Sequence, residues 1–136
     1  MDIARALEFC RTHHHAVLAT RRRDGAPQLS PVTVTSDDAG RLLVSTRETA
    51  MKVHNLRRDP RAWLCAFTDR FYGDWVQVEG RVEIVSLPEA MDLLVEYYRL
   101  AAGEHPDWDD YRAAMVRERR CVLVITPERA GPTVSG

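Results

Sequence analysis

A strand that ends in two hydroxyl residues and turns straight into a helix can hold an anion, and Ser45-Thr46-Arg47-Glu48-Thr49-Ala50-Met51-Lys52 reads as such a junction. The first N–H groups of a helix have no partner inside it and carry the positive end of its dipole, which suits a phosphate or carboxylate. Ser45 and Thr46 add hydroxyl donors, and Lys52 adds a full charge one turn into the helix. The plain alternative is a capped surface helix with a solvated lysine. Lys52 is conspicuous all the same. The chain holds 18 arginines and this one lysine, and a compact ammonium does not serve a site as a planar guanidinium does.

Other clusters carry less. His13-His14-His15 offers metal-binding side chains, but three consecutive residues point in different directions on a strand or a helix end. No metal site is expected. Asp107, Asp109 and Asp110 resemble paired acid–base carboxylates, yet acidic residues in the first turn of a helix are also what the dipole favours. Trp75, near the start of a long strand, suits either the core or the side of a planar ligand. Arg119-Arg120 is a solvated pair, an interface or an anion clamp. Cys10, Cys65 and Cys121 form no C-x-x-C pair and lie in apolar surroundings, as buried reduced thiols do. There is no nucleophile elbow, H-E-x-x-H, Walker motif or Cys/His dyad. Chemistry without such groups fits a protein whose cofactor supplies it.

The elements that must position these residues follow from local pattern. Asp2 caps a short helix with Ile3, Leu7 and Cys10 on one face. Strands are expected at His14–Thr20, Gln28–Thr35 and Arg41–Thr46, joined by turns at Asp24-Gly25 and Asp37-Asp38-Ala39-Gly40. A helix over Thr49–Arg58 stops at Asp59-Pro60. Strands at Arg61–Thr68 and Asp74–Val85 come next, with Gly80 marking a bulge or a close approach. A helix opens at Pro88 and runs to Ala102, closed by Gly103. It has two apolar stripes, so it needs cover on two sides, and a partner subunit is a natural cover. A helix over Asp107–Arg119, a strand over Cys121–Thr126 and a frayed tail, Pro127–Gly136, complete the chain.

Six strands without βαβ alternation or a G-x-G-x-x-G loop exclude a dinucleotide-binding α/β fold. They imply a mainly β protein, a small meandering antiparallel barrel with flanking helices. Its 136 residues suit one domain spanning 1–136. A net charge of −1 gives no footprint for nucleic acid. The apolar runs are too short to span a bilayer, and Asp2 does not fit a signal peptide, so the expected location is the cytoplasm and no membrane partner is expected.

In order and spacing, several stretches carry a family resemblance: Ala16–Thr20, Asp24-Gly25 with Pro27–Val32, Leu43–Thr46, Lys52 with Asn55–Arg61, Val78-Glu79-Gly80, and Tyr98-Arg99 with Gly103–Arg112. Over about Leu7 to Pro127 the chain resembles the pyridoxamine 5′-phosphate oxidase-like, FMN-binding split-barrel superfamily, and within it the actinobacterial branch dependent on coenzyme F420. The resemblance implies a six-stranded split β-barrel homodimer with two cofactors at the subunit interface. It implies that Lys52 binds the cofactor phosphate and Met51 closes the phosphate loop. Gln28, Ser30, Pro31, Val32, Ser45 and Thr46 would line the ring, and Trp75 or Gln77 would approach from the long strand. Relatives often carry a second basic residue shortly before the lysine, where this chain has Ala50. The implied activity is hydride transfer between reduced F420 and an unsaturated or aromatic small-molecule acceptor. An FMN flavoprotein and a carrier or sensor without turnover are the alternatives. Pyridoxamine phosphate oxidation itself is not expected, since the chain is short and shows no second phosphate cluster.

Overall fold

The computed structural model describes residues 2–131. The elements run α1 (Ile3–Thr12), β1 (His15–Arg21), β2 (Pro27–Ser36), β3 (Leu42–Arg47), α2 (Met51–Arg58), β4 (Arg61–Phe67), β5 (Trp75–Ser86), α3 (Met91–Ala102), α4 (Trp108–Arg117) and β6 (Arg120–Ala130). The six strands close into an antiparallel barrel in the order β1-β2-β3-β6-β5-β4. The expected meander therefore holds only in part. After the β1–β2–β3 run the chain crosses to β4, which pairs back onto β1, and β6 slots between β3 and β5.

Strand periodicity explains the interior. Along β1, β4 and β5, alternate residues point inward, so Ala16, Leu18, Leu64, Ala66, Val76 and Val78 fill the barrel. β3 and β6 are covered on both faces and read as continuous apolar runs. Their inner residues, Leu42, Val44, Leu123 and Ile125, join the barrel core. Their outer ones, Leu43, Val122 and Val124, pack under α3 and α4 with Leu94, Val95, Tyr111 and Met115. Both apolar stripes of α3 are met within this second cluster, where Leu93, Tyr97 and Leu100 also pack. Leu93, Tyr97 and Leu100 of the second stripe stay half-buried within one chain. α1, capped by the Asp2 carboxylate accepting from the Arg5 N–H at 2.7 Å, joins the barrel core through Ala6 and Cys10.

Several boundaries differ from the sequence pattern. α3 begins at Met91, after a turn over residues 87–90. α4 ends at Arg117, and Arg119 adopts a left-handed conformation (φ 54°) that swings the chain into β6. The tail read as frayed is strand as far as Ala130, and its residues 132–136 lie outside the described ones. A register shift at Glu79/Gly80 lets β6 resume pairing, Arg129 opposite Glu79 and Ala130 opposite Val78.

Among the described residues no helix is long and apolar enough to cross a membrane.

Candidate functional site

The ladder between β2 and β3 holds only three pairs, ending at Val34 opposite Val44. Beyond it β2 stays with β1 and β3 with β6, so the barrel wall is split. A cavity of about 490 Å³ occupies this split. Pro31, Val32 and Thr33 form one wall and Ser45 and Thr46 the other, with Tyr97 and Tyr98 of α3 and Tyr111 and Met115 of α4 as the floor. Lys52 of α2 and Arg120 of β6 supply its charge, and no carboxylate lines it.

The cations are placed by their neighbours. Burial first, and then the positive charge of Arg120, lower the Lys52 pKa below the ordinary lysine value. No acidic group among the described residues pairs with Lys52. Arg120 is steered by Glu118, whose Oε1 accepts from Nε at 3.0 Å and from Nη2 at 2.8 Å. That hydrogen bond from Arg120 holds the Glu118 carboxyl below its usual range. The α2 N-terminus offers further donors, because its N-cap is Ala50, which has no side-chain oxygen to cap the first turn. The loop before it is pinned by Glu48, which accepts from Ser86 at 2.5 Å and from Arg57 at 2.6 Å. Burial acts to raise the Glu48 pKa, but these hydrogen bonds outweigh it and the net shift is downward. Inside the barrel the buried Asn55 donates to Thr20 Oγ1 at 3.1 Å, fixing α2 against β1.

Of the ten residues implied by sequence, Pro31, Val32, Ser45, Thr46 and Lys52 meet in this cavity. Gln28 and Met51 line a second cavity of about 490 Å³ beside it, with Arg22, Arg23, His54 and Arg58. Ser30 faces the barrel interior, where its hydroxyl is buried without a partner among the described residues. Trp75 and Gln77 lie on the outer face of the sheet: Thr33, His15, Phe67 and Trp75 are successive neighbours across β2, β1, β4 and β5. Three strand spacings of about 4.8 Å separate Trp75 from Thr33, so within one chain neither Trp75 nor Gln77 reaches the Lys52 cavity.

Tyr97, Tyr98, Tyr111 and Met115 were not singled out by sequence as ligand contacts, and Arg120 only through one of three readings of the Arg119-Arg120 pair. Arg120 and Tyr97 had visible signals, an Arg-Arg pair before a strand and a second apolar stripe on α3, but only the fold brings them to Lys52. Burial pushes the Tyr111 hydroxyl up to about 12, and that hydroxyl donates to Leu94 O at 2.7 Å. It therefore serves as a fixed donor.

The remaining clusters are structural. His13 stacks on Phe9, the His14 ring bonds Val34 O through Nδ1 at 2.8 Å, and His15 pairs with Asp69 at 3.1 Å. Among the described residues no three His, Cys, Asp or Glu side chains group as metal ligands. Asp107 caps α4 by accepting from the Asp110 N–H. Glu104 accepts from Arg99 and from Trp108, which tightens the knot of Tyr98, His105, Trp108 and Tyr111. Burial raises the thiol pKa of Cys10 to about 12 and of Cys121 to about 11.

A split antiparallel barrel with a cationic cleft agrees with a comparison of families, in which the pyridoxamine 5′-phosphate oxidase model matches residues 4–133. The chain belongs to that family. The family takes its name from an oxidoreductase, pyridoxamine 5′-phosphate oxidase. A conserved hypothetical protein from Mycobacterium tuberculosis superposes with a TM-score of 0.76 at 26% identity, over 100% of this chain and 93% of that one. An F420 reductase is similar at a TM-score of 0.69 and 21% identity, over 91% and 94% of the two chains. A putative pyridoxamine 5′-phosphate oxidase from Listeria innocua matches at 0.69 and 16%, over 98% of each. These last two are likenesses of fold.

Proposed function

We propose that this chain is an F420-dependent oxidoreductase that binds its cofactor in the β2–β3 split and acts on an unsaturated or aromatic small molecule. The observation that carries the reading is the pairing of Lys52 with Arg120 across a cavity that no carboxylate lines. Two cations and an uncapped helix end suit a phosphate, while Val32, Met115 and the tyrosines suit a planar ring. When bound, reduced F420 supplies a hydride to the acceptor. The chain's own residues then have three tasks. Lys52 and Arg120 hold the anionic group, Pro31, Val32, Ser45 and Thr46 flank the ring, and the tyrosines exclude water.

Arg120 fills the role left open by Ala50. A second cation reaches the lysine from β6 instead of from α2. Arg120→Ala is expected to weaken cofactor binding by roughly tenfold, the scale of one hydrogen bond to a charged group. Isothermal titration checks this, and unchanged affinity would remove Arg120 from the site.

The preference for F420 over FMN rests on positive charge beside the phosphate position. Of Arg47, Arg57 and Arg58, the arginines that flank the Ser45–Lys52 junction in sequence, Arg47 and Arg57 are ion-paired with Glu118 and Glu48. Arg22, Arg23 and Arg58 gather instead in the adjoining cavity, where no carboxylate lines the wall. The FMN reading keeps its own support, because the Lys52 cleft suits any ring bearing a phosphate. Titrating the apoprotein separately with F420 and FMN, followed by fluorescence quenching, decides between them. FMN binding without an F420 response would overturn the preferred cofactor. Binding of neither would overturn the cofactor reading as a whole. Turnover of menadione or a nitroaromatic by the F420-loaded protein separates an enzyme from a carrier.

A homodimer is part of the proposal. The outer face of β2, β1, β4 and β5 leaves Leu29 62% exposed and Val17, Trp63, Cys65 and Phe67 only partly covered. A second copy is the occupant that the family resemblance implies for such a face, and it would also cover Trp75 and Gln77. Sedimentation equilibrium should give twice the chain mass, and a monomer at micromolar concentration would discard this part.

A further inference from the structure

The cleft has a cationic end and an aromatic end. Arg120 lies just beyond the C-terminus of α4, and Met115 and then Tyr111 carry the floor back along that helix. Tyr98 continues the floor at the far end. Its ring is 5.0 Å from that of Tyr111 and 5.7 Å from that of Trp108, both in the first turn of α4. α4 has 10 residues, about 15 Å of rise, so an anion held by Arg120 leaves the Tyr98 end free for a reacting molecule.

A molecule that accepts a hydride also needs a proton. Side chains that serve as general acids are chiefly His, Asp, Glu, Lys, Tyr and Cys. No His, Asp, Glu or Cys lines this cleft, and Lys52 is committed to the anion in the function proposed above. Thr33, Ser45 and Thr46 carry aliphatic alcohols, which are far weaker acids than a phenol. Three tyrosines remain. Tyr97 gives its hydroxyl proton to Thr33 O at 2.8 Å, and Tyr111 gives its own to Leu94 O at 2.7 Å. Tyr98 differs from both. It is held by its ring, against His105 at 4.9 Å as well as Tyr111 and Trp108, and its hydroxyl has no hydrogen-bond partner among the described residues. Nor is that oxygen shut away as Ser30 Oγ is, so it meets open space.

We propose that Tyr98 is the proton donor of this oxidoreductase, and that its acceptors are molecules on which hydride transfer leaves an anionic oxygen, namely quinones and conjugated carbonyls. This role rests on the function proposed above. The hydride brings the acceptor one hydrogen and an electron pair, and the carbonyl π bond closes onto oxygen as an oxyanion. The Tyr98 O–H bond then breaks toward its own oxygen, and the proton passes to the oxyanion. Water returns a proton to the phenolate and takes up the one that oxidation of the cofactor releases. The acceptor has gained two electrons and two hydrogens, and Tyr98 ends as it began. The other two tyrosine hydroxyls stay on their backbone carbonyls throughout.

The test compares the full chain with its Tyr98→Phe variant, which keeps the ring and its packing. Menadione, isotope-labelled at its carbonyl carbons, reports the contact in the free and the cofactor-loaded protein. Its infrared carbonyl band should lie lower when bound to the parent than to Tyr98→Phe, where the hydrogen bond is gone. Affinity for whichever of F420 or FMN the parent binds should stay near that of the parent. Reoxidation of the reduced cofactor by menadione in a single turnover should slow about a hundredfold or more, the scale of general acid catalysis. A carbonyl band at the same place in both proteins, or no menadione binding by the parent, overturns the contact and the role with it. A shifted band with an unchanged rate overturns the proton transfer. If the parent binds neither cofactor, the function proposed above fails and the donor role falls with it, and a shifted band then leaves Tyr98 as a quinone contact only.

Discussion

Lys52→Ala is expected to weaken binding of the proposed phosphate-bearing cofactor by about 1.5–3 kcal/mol, the usual worth of a hydrogen bond to a charged group, while thermal stability stays near that of the parent. The asymmetry follows from the site. Lys52 has no carboxylate partner among the described residues, and burial together with Arg120 disfavours its charge in the free protein. Its removal relieves a like-charge contact in the empty cleft and removes an ion pair only when an anion is bound. Fluorescence titration reads the affinity and calorimetric melting reads the stability. Unchanged affinity would place the phosphate elsewhere. A pH series adds a signature of the lysine itself. An anion binds the charged ammonium, so affinity is full below the Lys52 pKa of the free protein and declines as pH rises through it. Because that pKa lies below the ordinary lysine value of 10.5, the decline should begin earlier than for an exposed lysine. Lys52→Arg should abolish this alkaline limb, since a guanidinium does not titrate there.

How much of this was legible in the sequence depends on the range of the interaction. The Ser45–Lys52 junction was local: a strand, a turn and a helix start within eight residues, each with its own pattern. The six strands were legible for the same reason, through Asp24-Gly25, Gly40 and the alternation along β1, β4 and β5. Strand order was not, because the pairings of β6 with β3 and of β4 with β1 join segments far apart in the chain. Arg120 illustrates the cost. It lies 68 positions from Lys52 in sequence, read as the difference of their numbers, yet both line one cavity. The doubly apolar α3 was correctly seen as needing two covers. The sequence could not show that β3, β6 and α4 bury one stripe and leave Leu93, Tyr97 and Leu100 of the other half-covered. The resemblance reached Trp75 and Gln77 without locating them, and in one chain they face outward with Phe67 and Cys65.

Gly80→Ala is expected to destabilise the fold by at least about 2 kcal/mol, the scale of forcing a group into a packed interior, and the argument is one of space rather than backbone freedom. A Cβ at position 80 would lie 2.5 Å from Thr126 O and 2.8 Å from Ile125 Cγ2. The first of these is a backbone atom of a paired strand, which cannot swing aside as a side-chain tip can. Gly80 faces Ala62 on one side and Pro127 on the other, at the register shift between Glu79 and Gly80. Pro127 has no N–H to donate, so the ladder gives up a bond where it is bulged in any case. Bulges bend a strand, and a six-stranded wall must bend to close, which gives the crowded glycine a task in the barrel itself. Gly25 is the control. It is conformationally special, with φ 86°, yet nothing lies within 4 Å of its added Cβ. Gly25→Ala should therefore cost only the left-handed strain of about 1–2 kcal/mol. Equal losses in the two variants, measured by urea denaturation, would show that Gly80 is required for its conformation and not for its contact with β6. A larger loss at Gly80 would fix the bulge as the point where β6 is gripped on its way past the end of the core.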